Sequence, residues 1–256
     1  SNENYKQKLY LCFFFPELQS LLDEKLIKEV QPKINDIDKQ LFEQLRQNGE
    51  NNSQYCQLIR NDSIDEFISY TKEHKLPLTT SIEPSVFETN PFLLKRIPTL
   101  IEYSAFYGSL KILNYLLQNN IRLTGSVWLY AIHSQKMEII HLLEDKKVQP
   151  NDPSYLECFI EAIKCHHIEI ANYIKSNLYK DQNENLRVNS QAIASRNYYY
   201  FPQVLRRPNE FYDLCKYNYY KIVDFLLTNV ADIDCNARVI SIFLFLSYQI
   251  SKKNLF

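Results

Sequence analysis

Ser109-Leu-Lys-Ile-Leu-Asn-Tyr-Leu116, Lys136-Met-Glu-Ile-Ile-His-Leu-Leu143, His167-Ile-Glu-Ile-Ala-Asn-Tyr-Ile174 and Tyr219-Tyr-Lys-Ile-Val-Asp-Phe-Leu226 are four copies of one pattern. In register, Leu110, Met137, Ile168 and Tyr220 form one apolar column and Ile112, Ile139, Ile170 and Ile222 a second. Leu113, Ile140, Ala171 and Val223 make a third, and Leu116, Leu143, Ile174 and Leu226 a fourth. Polar columns separate them: Lys111, Glu138, Glu169 and Lys221, then Asn114, His141, Asn172 and Asp224. Apolar residues three and four apart define a helix with one buried face.

A second apolar segment precedes each copy, again in register. Ile101, Trp128, Phe159 and Phe211 align, and three residues later come Ser104, Ala131, Ala162 and Leu214. The small residues let the first helix lie close to the second. Thr99 with Glu102, and Ser154 with Glu157, have the spacing of a capping box, and Ser126 and Asn209 stand as N-caps of the other two first helices. Two short antiparallel helices joined by a tight turn cannot bury their apolar faces alone, so copies of the unit must stack.

The run Thr99-Leu-Ile-Glu-Tyr-Ser-Ala-Phe-Tyr-Gly108-Ser-Leu-Lys-Ile-Leu-Asn-Tyr-Leu-Leu117 resembles the ankyrin consensus, in which a Thr-Pro-Leu-His start leads through Ala-Ala and Gly-His to Ile-Val and Leu-Leu. Leu226-Leu-Thr-Asn-Val-Ala-Asp-Ile233 resembles its Leu-Leu, Gly-Ala-Asp-Val ending, and residues 53 to 71, with Asp62-Ser-Ile-Asp-Glu-Phe67, look like a divergent first repeat. Trp128-Leu-Tyr-Ala-Ile-His133 and Ile163-Lys-Cys-His-His-Ile168 are similar to segments of protozoan ankyrin-containing proteins that carry a domain of unknown function. The resemblance implies an all-α, ankyrin-like superhelical stack of antiparallel helix pairs that binds partners on its concave side, and no catalytic activity. The chain departs from the consensus where Leu100, Val127, Cys158 and Glu210 replace the proline, and Glu102, Leu129, Ile160 and Tyr212 the histidine. Spacing departs too: Ile112 to Ile139 is 27 positions, Ile139 to Ile170 is 31 and Ile170 to Ile222 is 52, against a period of about 33.

The long last interval, residues 180–207, is rich in Asn, Gln and Tyr and reads as an irregular inserted loop; residues 75–98 read as another. The repeat array is expected over 51–234. Residues 1–50 form an N-terminal helical cap, with one amphipathic helix carrying Leu18, Leu21, Leu22 and Leu26 and a second carrying Ile34, Ile37, Leu41 and Leu45. Residues 235–256, apolar from Ala237 to Ile250, leave the repeat register and form an atypical tail.

Composition narrows the chemistry. Only 3 of 256 residues are glycine, whereas folds that cradle phosphates need several to bring backbone close to the ligand. Asparagine takes over the left-handed turn role, and Asn119, Asn120 and Asn177 sit where it is required. The net charge of -1 disfavours nonspecific nucleic-acid binding, which depends on many unbalanced cations. The six cysteines are scattered without a C-x-x-C pair, the pattern of reduced thiols in a cytoplasmic protein. Leu9 to Phe15 is a short apolar run ending at Pro16 without a cleavage site, so a signal peptide is not expected. Val239 to Leu246 is far shorter than the roughly 20 residues needed to span a bilayer.

Cys158, Cys165 and His166 are the residues that most resemble a metal or thiol site. Their alignment with ordinary repeat positions makes a structural role the better reading, and no cofactor or metal is expected. Tyr198-Tyr199-Tyr200 is read as packing the inserted loop onto the array, and Tyr220 as a core residue. The partner surface that the resemblance implies lies at first-helix ends and hairpin tips: Lys95, Arg96, Phe106 and Tyr107, then Arg122 and His133, then Lys164, then Arg206, Lys216 and Tyr217. These positions carry six Lys or Arg and no Asp or Glu, although the whole chain has 29 basic and 30 acidic residues. The expected ligand is another protein presenting an acidic segment, with nucleic acid and membrane disfavoured.

Overall fold

The computed structural model describes residues 2–34, 37–180, 186–202 and 208–229. These residues build an all-helical protein: no strand occurs among them, only an isolated antiparallel bridge between Ser81 and Thr99. The chain divides into two compact units, Ser1–Lys146 and Lys147–Phe256. No helix among the described residues is long and apolar enough to cross a membrane.

The first unit opens with α1 (Asn2–Phe13), α2 (Phe15–Leu18), α3 (Glu24–Val30) and α4 (Lys39–Asn48). Three helix pairs follow: α5 (Gln54–Arg60) with α6 (Ile64–Glu73), α8 (Leu100–Tyr107) with α9 (Leu110–Gln118), and α10 (Val127–His133) with α11 (Met137–Asp145). The short α7 (Pro91–Leu94) lies in the segment joining the first two pairs. First helices contact first helices, α5 on α8 and α8 on α10, and α6 lies on α9. The second unit holds α12 (Leu156–Lys164) with α13 (Ile168–Tyr173), α14 (Leu186–Ala194), and α15 (Pro208–Lys216) with α16 (Tyr220–Asn229). There α14 packs against both α12 and α15.

One backbone device closes each unit of the array. The residue after a first helix adopts positive φ at Asp62, Gly108, Gln135, His166, Arg196 and Asn218. At five of the six, the next N–H donates to the carbonyl five residues back: Ser63 to Leu58, Ser109 to Ser104, His167 to Ala162, Asn197 to Ala192 and Tyr219 to Leu214, at 2.9 to 3.0 Å. This is the Schellman closure, which satisfies carbonyls left open at a helix end and reverses the chain. Asn120 fills the equivalent role after α9 with φ 61. Asn119, by contrast, keeps negative φ, and Asn177 lies inside a π-helical turn, Ile174–Leu178.

Side chains at these turns tie one pair to the next. The Asp62 carboxylate accepts the N–H groups of Lys111 and Ile112, both at 3.0 Å, and so caps α9 from the preceding pair. The Ser109 hydroxyl donates to the Ile59 carbonyl, and Asn197 Nδ2 donates to the Ile163 carbonyl at 2.8 Å. Both acceptors stand at the end of the preceding first helix. The equivalence identifies Leu186 to Tyr200 as a further copy of the unit, which corrects the reading of an irregular loop over 180–207 for its described residues 186–202. Its first helix is α14, with Ala192 in the small-residue column, and its second has shrunk to the 3-10 turn Tyr198–Tyr200.

The four aligned copies are helix pairs, and their columns from Ile112, Leu113 and Leu116 onward are buried except at Ile222, which is partly covered. The Leu110 column is not core. It sits in the first turn of each second helix, so Ile168 is exposed and Tyr220 is 49% exposed, correcting the core placement of Tyr220. Thr99 and Glu102 form the full capping box. Ser154 and Glu157 do not: Tyr155, with φ 61, takes the N-cap position of α12, and Asp152 accepts the N–H groups of Ser154 and Glu157. Ser126 stands at an N-cap but donates its hydroxyl to Glu102, and Asn209 lies inside α15.

The N-terminal elements also differ from the expected pair of amphipathic helices. Cys12, Phe15 and Val30 form their core, flanked by Leu22 and Ile27, while Leu21 is 79% exposed because it ends a 3-10 turn. Residues 75–98 are ordered as well, with Ile82, Phe87, Phe92 and Leu93 buried. The tail at 235–256 lies outside the described residues.

Leu116 and Ile170 are buried in the cores of their respective units. Leu116→Ala and Ile170→Ala are each expected to lower unfolding stability by about 2–5 kcal/mol, measurable by denaturant titration. Gly108→Ala should cost about 1–2 kcal/mol, because alanine is strained at φ 71. A neutral outcome there would remove the left-handed turn from the account of stability.

Candidate functional site

In the first unit the expected partner surface is organised by a residue that sequence reasoning missed. Asn90 caps α7, its side chain accepting the N–H of Phe92 at 2.9 Å and of Leu93 at 3.4 Å, and Pro91 occupies the first helical position. This fixes Phe92 against the ends of α8 and α10. Its ring centroid lies 5.8 Å from Phe106, 5.0 Å from Tyr130 and 4.1 Å from His133, while Phe106 and His133 stack at 4.9 Å. The Arg96 guanidinium covers Phe92 from 3.9 Å. Aromatic stacking and cation–π contact thus hold an exposed Arg96, with exposed Lys95 beside it, over a buried aromatic base. Asn90-Pro91 before an apolar run was the legible signal for α7.

Of the predicted residues, the fold brings Arg96, Phe106 and His133 together. Phe106 is buried, so it supports that surface from beneath. Tyr107 touches Phe106 edge-on but faces a different group, its ring tilted against Tyr103 at 4.8 Å and lying under the Arg60 guanidinium at 5.8 Å. Arg122 is exposed on the connection between α9 and α10.

Arg60 anchors a largely buried polar network behind this surface. It pairs with Glu50 at 2.9 Å and donates to the Asn51 carbonyl and the Tyr103 hydroxyl, each at 2.9 Å. Burial pushes the Tyr107 hydroxyl and the Cys56 thiol up to about 12, with Arg60 opposing in both cases, and raises the Tyr103 hydroxyl far above its ordinary value. These groups are neutral near pH 7. They hydrogen-bond and pack, and none is poised as a general base.

The second unit treats its predicted cations differently. Lys164 forms an ion pair with buried Glu161 at 2.7 Å, and Lys216 lies 5.1 Å from the Tyr217 ring centroid. Arg206 lies outside the described residues. Burial pushes both Cys158 and Cys165 up to about 12; neighbouring carboxylates add to this at both, and Lys164 opposes it at Cys165. His166 carries the left-handed turn, and its Nε2 lies 2.8 Å from the Ser195 carbonyl. A half-buried neutral thiol beside a histidine engaged by backbone is poorly suited to nucleophilic chemistry. In the tyrosine turn, Tyr200 packs edge-on against Phe159 and donates to Asn172, while Tyr198 and Tyr199 are exposed.

No family model, no curated protein and no solved structure matches the chain.

The thiol environments give a direct check. At pH 8, Cys56, Cys158 and Cys165 of the native protein should alkylate about 100-fold more slowly than in denaturant, since the nucleophile is the thiolate. One of the three reacting at the denatured rate would revive a thiol function at that position.

Proposed function

We propose that the chain is a non-catalytic, ankyrin-like array of helix pairs that binds another protein, cytoplasmic in location, and that its first unit takes an acidic segment of that partner beside Lys95 and Arg96. The observation that carries this reading is the Arg96–Phe92–Phe106–His133 stack. A guanidinium held on a rigid aromatic base loses little conformational freedom when a carboxylate arrives, so it can give register as well as attraction. The chain as a whole is close to neutral; a local basic rim therefore selects a local acidic epitope rather than a polyanion.

The buried thiols of Cys56 and Cys158 support a reducing location. The neutral state of the candidate nucleophiles, Cys158 buried and Cys165 half-buried, favours binding over catalysis.

The test is fluorescence anisotropy with acidic peptides that carry an aromatic anchor. Binding should weaken with rising salt, and the double reversal Lys95→Glu with Arg96→Glu should lower affinity about tenfold and flatten the salt dependence, as expected for rim charges, with circular dichroism unchanged. Undiminished binding by the double variant, or tighter retention on RNA than on any acidic peptide, would overturn the reading.

A further inference from the structure

Two cavities of the first unit meet at Glu88. One, of about 230 Å³, is walled by Tyr10, Phe13, Phe14, Val86 and Leu94; the other, of about 90 Å³, runs past Leu93, Ile82 and Tyr103 toward exposed Lys95 and Arg96. Glu88 lines both and is 8% exposed. Its Oε1 accepts the Asn90 N–H at 2.8 Å, whereas Oε2 is buried without a hydrogen-bond partner. The nearby cation, Arg60, is engaged by Glu50. A buried carboxylate oxygen left unpaired is a group waiting for a counter-charge or a donor.

The larger cavity limits what that group can be. Its volume exceeds the roughly 150 Å³ that accepts a benzene molecule. Tyr10, Phe13 and Phe14 line it, with Phe13 and Phe14 edge to face at 4.9 Å. The Phe13 ring already carries a cation, the Arg46 guanidinium 5.2 Å from its centre. A primary ammonium has three N–H groups to satisfy, and the polar side chains here are few: Glu88, the Tyr10 hydroxyl and Thr89, whose hydroxyl donates to the Gly49 carbonyl. An ammonium whose hydrogens are replaced by methyl groups removes that demand and presents an apolar, positively charged surface to ring faces.

We propose that this cavity binds an alkylated ammonium group, its methyl groups against Tyr10, Phe13 and Phe14 and its charge balanced by Glu88. Two sources present this chemistry, a free choline-type molecule and the side chain of a methylated lysine in a peptide. The site is separate from the acidic-segment surface and does not rest on it.

Glu88→Gln keeps the shape and removes the charge, and it should fold. Burial raises the Glu88 carboxyl above its ordinary value of 4.5, with Asn90, Asn51 and Arg60 opposing. The stabilising protonated form is therefore fully populated below that value and lost as pH rises, so the glutamine variant should melt above the wild type at pH 7, the gap closing below 4.5. Isothermal titration of the full chain should find saturable choline binding, at least tenfold weaker binding of the neutral isostere 3,3-dimethylbutan-1-ol, and a tenfold or greater loss of choline binding in Glu88→Gln and in Tyr10→Ala. A trimethyllysine peptide binding more tightly than both choline and its unmodified lysine counterpart assigns the site to a partner side chain; a peptide no tighter than choline assigns it to the free molecule. Absence of choline binding, equal binding of the neutral isostere, or full retention by Glu88→Gln overturns the proposal.

Discussion

Every helix pair here turns on one backbone reversal: a residue in the left-handed region after the first helix, whose successor returns its N–H to that helix at five of the six turns. Without it the second helix could not fold back to share its apolar columns with the first. The constraint is unusual because only Gly108 among the six turn positions is a glycine. An L-residue in this conformation costs roughly 1–2 kcal/mol, and the side chains at two turns offset that cost. Asp62 caps α9, and His166 engages the Ser195 carbonyl. Strain and the bonds that offset it are thus distributed along the turns, which explains how the chain manages with so few glycines.

The sequence was legible where one residue type serves one role. The buried columns from Ile112 onward, the Thr99–Glu102 capping box and the small residues Ser104, Ala131 and Ala162 all match the structure. It was not legible where a role changed hands. In the copy beginning at Leu186, Asn189 occupies the column held by Phe159 elsewhere and donates to the Glu210 carboxylate, so an apolar template skips it. Asp152 does the work assigned to Ser154 from two positions upstream. Side-chain exchange of this kind leaves the geometry intact and erases the pattern.

The candidate surface divides in the same way. Phe106 and His133 were reachable through repeat position, because helix ends are fixed by the turns that follow them, and Arg96 through the hairpin tip that the resemblance implies. Phe92 was not, since residues 75–98 obey no repeat register and its position is set by tertiary contact with three aromatic rings. Charge counting also misjudged Lys164, whose partner Glu161 lies three residues earlier on the same helix. A list of cations without acids at aligned positions says nothing about acids one turn away.

The segment between Lys75 and Pro98 has a kinetic consequence. Each turn joins helices within some twenty residues of chain, so the pairs are local structures that form early. The 75–98 segment is instead fastened to Gly49 and Asn51 by bonds such as Thr89 to Gly49 and Asn51 to Glu83, spanning 40 and 32 residues. Closing loops of that length carries an entropic penalty that local pairs avoid. The helix pairs of the first unit therefore close locally, whereas the strap, and the surface built on Phe92, depend on contacts of longer range.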